Sequence, residues 1–294
     1  AYSAAGSYER YQGLTMWTST VNVDRDLRWG SGIETAGEDP YLTSVMGVNV
    51  VKGLQCTDAN QKYDKIHACA KHFAVHSGPE WNRHEFNAEH IKPRDLHETY
   101  LVPFEALVKE GKVKEVMGAY NRLEGDPCCG SDRLLMQILR QEWGYEGIVL
   151  SDCGAIDDFY REKGHKTHPD AESASAAAVL SGTDLECGSS YKALVESAKK
   201  GLISEKDIDV SVKRLLKARF ELGEMDDPDK VEWTKIPYSV VCSAEHDSLS
   251  LDIARKSMTL LLNKNNILPL KRGGQTIAVM GPNANDSVMQ WGNY

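Results

Sequence analysis

The chain reads as an α/β protein built on parallel strands, and three observations say so. Short β-branched or apolar runs alternate with longer stretches of helical periodicity. The helical stretches carry start and stop residues where a helix needs them. A hydrophobic content of 41% over 294 residues can bury the core of one large α/β domain or two smaller ones, so disorder is excluded.

Thr15 to Val23, Ile66 to Phe73, Glu115 to Tyr120, Gly147 to Asp152 and Thr183 to Glu186 read as strands. Asp39-Pro40 supplies an N-cap and a first-turn proline for a helix through Leu42, Val45, Met46 and Val50. Another helix follows Pro93. Ser131 caps a third, running through Leu134, Leu135, Ile138 and Leu139 to Trp143, and Gly144 stops it. Two more cover Ala171 to Leu180 and Tyr191 to Lys200. Ser204 with Asp207 forms a capping box ahead of Ile208, Val212, Leu215 and Leu216, and Gly223 ends that helix. From Glu224 to Ala244 acids, prolines and isolated aromatics read as a linker. A second unit follows it, with a helix from about His246 to Leu262 and a strand at Thr276 to Met280. There is no internal repeat.

The formal net charge of −9 leaves no basic stripe for phosphates, so nucleic acid is a poor partner. No apolar run approaches the roughly 20 residues of a membrane helix. The seven cysteines show neither zinc-site spacing nor disulfide-scaffold density. Cys69, Cys153 and Cys187, in apolar runs, read as small buried hydrophobes, and the redox compartment stays open. The chain starts at Ala1 and stops just after an apparent strand, so it is expected to be a piece of something longer.

Four clusters could carry chemistry. Asp152 ends an apolar strand where it breaks into Cys153-Gly154-Ala155; in barrels that end builds the active site, although a strand-end Asp can equally cap the next helix. Lys71-His72-Phe73 ends another strand. Neighbouring strand residues point to opposite faces, so Lys71 and His72 meet one ligand only on an irregular backbone, a non-proline cis bond being its signature; otherwise the lysine is solvated and the histidine a core residue. Met117-Gly118-Ala119-Tyr120-Asn121 ends a third strand with a phenol and an amide, which are as readily local hydrogen-bonders. Arg28 beside Trp29 either clamps hydroxyls over an aromatic floor or pairs with nearby acids. Convergence of all four is what would make a site.

The stretches Arg25 to Gly30, Glu34 to Tyr41, Lys71 to Phe73, Val116 to Asn121 and Ser151-Asp152 resemble glycoside hydrolase family 3 in order and spacing. Ser77 to Glu80, Arg83-His84 and Pro127 to Cys129 are similar to its β-xylosidase and β-glucosidase branch. The resemblance implies a (β/α)8 TIM-type barrel, incomplete at its N-terminus, over residues 1–223, a linker at 224–244, and the beginning of an α/β sandwich domain at 245–294. It implies a retaining exo-β-glycosidase that removes terminal β-D-xylosyl or β-D-glucosyl residues from plant-derived oligosaccharides through a covalent intermediate on Asp152. Arg28, Lys71, His72 and Tyr120 would hold sugar hydroxyls, Met117 would line the pocket, and Arg83 would orient a carboxylate. Cationic Lys71 and Arg28 would favour the ionised nucleophile. No metal or cofactor is implied, and export to the periplasm or beyond is the expectation.

Leu27, Ser31 and Ala36 depart from the family pattern, which bears on subsite geometry rather than reaction class. The acid/base glutamate usually comes from the sandwich domain, so this stretch alone is expected to be inactive. Rival readings are a sugar-binding relative without catalysis, a phosphorylase, a Lys71 Schiff-base aldolase and a metal enzyme. The last draws on six histidines between His67 and His97, but Ala88 stands where HExxH needs its second histidine. The histidine-rich segment Gly164 to Asp170 reads as a solvated loop.

Overall fold

The computed structural model describes residues 13–56 and 61–287, and divides the chain into two compact units, residues 1–235 and 236–294. The first unit is a parallel sheet of β1 (Thr15–Met16), β2 (His67–Phe73), β3 (Glu115–Gly118) and β4 (Ile148–Ser151), in that order. Isolated bridges extend it, Thr20 to Lys71 on one side and Leu150 to Leu185 on the other. The first and last predicted strands are thus present only as short ladders. Among the described residues nothing pairs Leu185 back to β1, so the sheet is an open arc.

Helices α1 (Pro40–Gln55), α2 (Val102–Lys109), α3 (Arg133–Glu142, with π-type hydrogen bonding), α4 (Ala171–Leu180), α5 (Leu194–Lys199) and α6 (Glu205–Glu221) connect and cover the strands. The expected caps form. Asp39 and Ser131 accept from the Leu42 and Leu134 amides, and Ser204 and Asp207 make a reciprocal capping box. Gly144 and Gly223 end their helices at φ +70° and +75°, a conformation that costs other residues energy.

Alternation sorts the strand side chains between two sides. Ala68, Ala70, Val116 and Val149 face the helices and join a core with Val48, Val51, Phe104, Leu107, Leu134 and Leu139. On the other side Cys69, Met117 and Leu150 pack on one another as one layer. His67, Glu115 and Ile148 lie two residues before them, and Lys71 and Asp152 two residues after. The layered interior is that of a barrel whose chemistry sits at the C-terminal ends of its strands.

Two expectations need correction. The apolar residues Leu42, Val45, Met46 and Val50 of α1 are exposed, and its buried face is Thr43, Ser44, Gly47, Val48 and Val51. Close approach decides this: a Cβ on Gly47 would stand 2.7 Å from Leu107 Cδ1 and 2.9 Å from Val21 Cγ1, so small residues must face α2 and the sheet. The second unit holds helix α7 (Ala244–Ser257), but residues 276–280 form no strand. A strand is stable only with a neighbour to take its hydrogen bonds, and none stands beside it among the described residues.

Candidate active site

The end of β2 is where the backbone departs from regularity. The Lys71–His72 and Phe73–Ala74 peptides are cis, and the register with β3 shifts between Ala70 and Phe73. Asn22 clamps the deviation: its Oδ1 accepts from His72 N (2.7 Å) and its Nδ2 donates to His72 O (2.8 Å). From this irregular end both side chains reach functional partners. Lys71 Nζ lies 3.2 Å from Glu34, whose carboxylate also accepts from Thr20 Oγ1 (2.9 Å). His72 Nε2 lies 3.3 Å from Asp152 Oδ2.

Asp152 stands one residue beyond β4, with a side chain only 13% exposed. Its Oδ1 accepts from the Cys153 amide at 2.7 Å. Tyr120 donates its hydroxyl to the Cys153 carbonyl at 2.9 Å and also interacts with Asp152. Burial raises the Asp152 carboxyl above its ordinary value, opposed by the Cys153 N–H, Tyr120, Lys71 and Arg83. The expected pull of Lys71 toward the ionised form is present, but desolvation outweighs it, and Arg83 supplies the second positive charge rather than Arg28.

His72 is held well below the usual histidine range, by burial first and then by the charge of His76, Lys71 and Arg83. It is therefore a neutral imidazole, and toward an ionised Asp152 its Nε2 acts as donor. His76 meets it edge-on at 5.0 Å, bonds Asn121 at 3.2 Å and is pushed down to about 3 by burial. Tyr120 is flanked by Arg83, with Cζ 5.0 Å from the ring centroid, and by His84 at 4.6 Å. Arg83 in turn pairs with Glu80 at 3.2 Å.

Lys71, His72, Arg83 and Tyr120 thus gather around Asp152. Met117 lies beneath them, 2% exposed, as floor rather than wall. Arg28 is not brought in. Its side chain is 60% exposed, with the guanidinium doubly bonded to Asp26 (2.8 and 2.7 Å) and lying over Trp81, the pairing with nearby acids that its neighbours made possible. Trp29 is buried edge-on against His76 and forms no open floor.

Asn22 and Asp158 carried no signal in the sequence; Glu80 and His84 stood in the family-like segments without an assigned role, and Glu80 is the carboxylate beside Arg83 while His84 meets Asp158 at 2.8 Å. Sequence reasoning also misread Cys153 and Cys187, which form a disulfide with Cα atoms 4.4 Å apart. Cys153 is exposed rather than a core residue, because its loop turns outward past Asp152. Nor is Gly164 to Asp170 wholly solvated, since His165 is buried against Phe159 at 5.9 Å.

Asp64, His67 and Glu221, at the opposite end of the strands, have ligand atoms within 4.8 Å of one another. Lys114 already places its ammonium there, 2.8 Å from Asp64 and 3.1 Å from Glu221, and offsets one of the two negative charges. A cavity of about 290 Å³ beside this group involves none of the residues around Asp152.

Parallel strands with a buried carboxylate and bases at their C-terminal ends define an α/β barrel domain of the kind that holds its chemistry on strand-end loops. The particular family follows from comparison. Residues 10–218 match the glycosyl hydrolase family 3 N-terminal domain, and the chain belongs to that family. It is 56% identical over 295 residues to a xylan 1,4-beta-xylosidase of Xylanibacter ruminicola, covering 100% of this chain and 34% of the relative. To beta-D-xylosidase 1 of Arabidopsis thaliana it is 38% identical, over 96% of this chain and 36% of the relative. Its fold matches a solved family 3 exo-β-xylosidase in complex with a xylobiose aziridine activity-based probe. The TM-score is 0.81 and the identity 31%, with 88% of this chain and 34% of that one covered. The chain therefore spans about a third of the relatives it matches.

Proposed function

We propose that the protein containing this chain is a retaining exo-β-glycosidase that removes terminal β-D-xylosyl residues from plant-derived oligosaccharides, with Asp152 as nucleophile. The observation that carries this reading is the buried Asp152 carboxylate at a strand end, with His72 at 3.3 Å and Tyr120 and Lys71 around it. An ionised Asp152 attacks the anomeric carbon to give a glycosyl ester, which water then hydrolyses; two displacements retain configuration. Lys71, neutral His72 and Arg83 offer donors to ring hydroxyls, and pairing with such groups rejects sugars that lack them. The positive charges of Lys71 and Arg83, with the Cys153 N–H and Tyr120, oppose the effect of burial and favour the ionised carboxylate that attacks.

Xyloside is preferred over glucoside in this reading because the relatives at 56% and 38% identity are named xylosidases. The acid/base carboxyl is placed outside this chain, in the continuation of a sandwich domain beginning near residue 245. Export is supported by the Cys153–Cys187 disulfide, since such bonds persist in oxidising compartments.

The test is to express the complete parent protein and compare aryl β-xyloside with aryl β-glucoside, then inactivate it with a 2-deoxy-2-fluoro xyloside. Mass spectrometry is expected to place the label on Asp152. A label on any other residue overturns the assignment.

A further inference from the structure

The strand carrying the nucleophile ends at Ser151; the Asp152 amide still bonds Gly118 O of β3 (3.2 Å), whereas Cys153 is held by what its loop offers. The Cys153 peptide has two roles there. Its N–H donates to Asp152 Oδ1 (2.7 Å), and its carbonyl accepts from Tyr120 (2.9 Å). The side chain of the same residue is tied across the loop to Cys187, 34 residues on.

Cys187 is a firm anchor. Its amide donates to Ser151 Oγ (3.1 Å), and its carbonyl accepts from Gly154 N (2.7 Å). Glu186, next to it, accepts from the amides of Ser190 and Tyr191 at 2.8 and 2.6 Å, fastening that segment to the turn that follows. The Leu185 segment is bonded to β4 through Asp184 N and Leu185 N to Val149 O (2.7 and 3.2 Å) and Ser151 N to Leu185 O (2.9 Å), and the covalent link adds a side-chain tie beyond the end of that strand.

We propose that the Cys153–Cys187 disulfide is a positioning device for the nucleophile: it holds the Cys153 peptide against Asp152 and Tyr120, and opening it with a dithiol lowers turnover. The inference rests on Asp152 being the nucleophile. In the reduction a dithiol gives two electrons and two protons to the Cys153 and Cys187 sulfurs and becomes a cyclic disulfide itself. Cys153 is exposed, so the reductant can reach the bond. The fully buried thiols of Cys69, Cys128 and Cys129 are all pushed up by burial and stay out of the exchange.

The charged and polar groups around Asp152 are Lys71, His72, Arg83 and Tyr120, none of which reduction removes. What is lost is the fixed Cys153 N–H, which favours the ionised carboxylate. Asp152 then titrates higher, and the acid limb of kcat/KM moves to higher pH.

The experiment uses the complete oxidised parent protein and an aryl β-xyloside. If the oxidised enzyme turns over no glycoside, the reading of Asp152 fails before the disulfide is tested. If it does turn over, dithiothreitol treatment, with alkylation and mass spectrometry showing both thiols free, is expected to lower kcat about tenfold, the worth of one hydrogen bond to a charged group. KM should change less, the acid limb should move up, and reoxidation should restore both. Cys187→Ser should reproduce the loss, and Cys242→Ser should leave the response to dithiothreitol unchanged. Reduction that lowers only the melting temperature, with kcat and the acid limb unmoved, overturns the proposal. Should Cys187→Ser fail to fold, reduction of the folded enzyme decides alone.

Discussion

Glu115 illustrates how one residue couples the barrel interior to pH. It begins β3 on the inner side, two residues before Met117, and is 4% exposed. Burial alone raises its carboxyl from 4.5 to about 8. The folded protein therefore prefers the protonated acid, and stability is greatest below the unfolded value and falls as pH rises toward 8. Denaturant unfolding of this chain at pH 5 and pH 8 should show a loss on the order of a few kcal/mol. Glu115→Gln should flatten that dependence and be the more stable protein at pH 8. A native chain equally stable at both values would show that the carboxyl is already compensated. The residues around Asp152 follow the same physics with other outcomes: burial keeps His72 neutral, while Lys71 is held by Glu34.

At the scale of elements, one buried carboxylate joins four pieces of chain. Asp184 follows α4, and its carboxylate accepts from the Val149 amide of β4 (2.9 Å) and from Ser211 Oγ of α6 (2.9 Å). It pairs with Arg140 of α3 at 2.7 Å and Arg214 of α6 at 2.8 Å. Arg140 is 7% exposed, so truncating the acid strands a buried guanidinium. Asp184→Ala should cost about 3–5 kcal/mol, the usual penalty for breaking a buried pair. Chemical denaturation measures it, and a loss under about 1 kcal/mol would mean the helices are held on β4 by apolar packing alone. Gln55 makes a neutral counterpart, its amide bonding Ala68 N, Lys114 N and Lys112 O to tie α1 to the starts of β2 and β3.

For the molecule as a whole, the open arc of strands and the exposed apolar face of α1 fit a chain that spans a third of its relatives. Of the acids close to the Asp152 group, Glu34 is engaged by Lys71, Asp158 by His84, and Glu80 by Arg83 and the Gly30 amide. In the reaction proposed above the departing sugar needs a proton, and general acid catalysis is typically worth about 10²–10⁴ in rate. Residues 1–294 alone should therefore release xylose from xylobiose at least about a hundredfold more slowly than the parent protein. Comparable rates would place the proton donor within this chain.

Strand and helix positions could be read from the residues because period and caps are local properties. The short apolar runs at 67–73 and 115–118, the Ser204–Asp207 box and the helix-ending glycines act within a few residues of themselves. The ends of apolar strands likewise marked Lys71, His72, Tyr120 and Asp152. What local pattern could not supply was contact across the chain. Cys153 meets Cys187 across 34 residues, Asn22 meets His72 across 50, and Asp158 meets His84 across 74. Such pairs depend on how loops return, and no periodicity encodes that. Arg28 is the opposite case: it pairs with Asp26, two residues away, the local alternative that its neighbours offered. The membership of the site and the inward face of α1 were settled by close packing of distant segments, where burial and steric approach outweigh local preference.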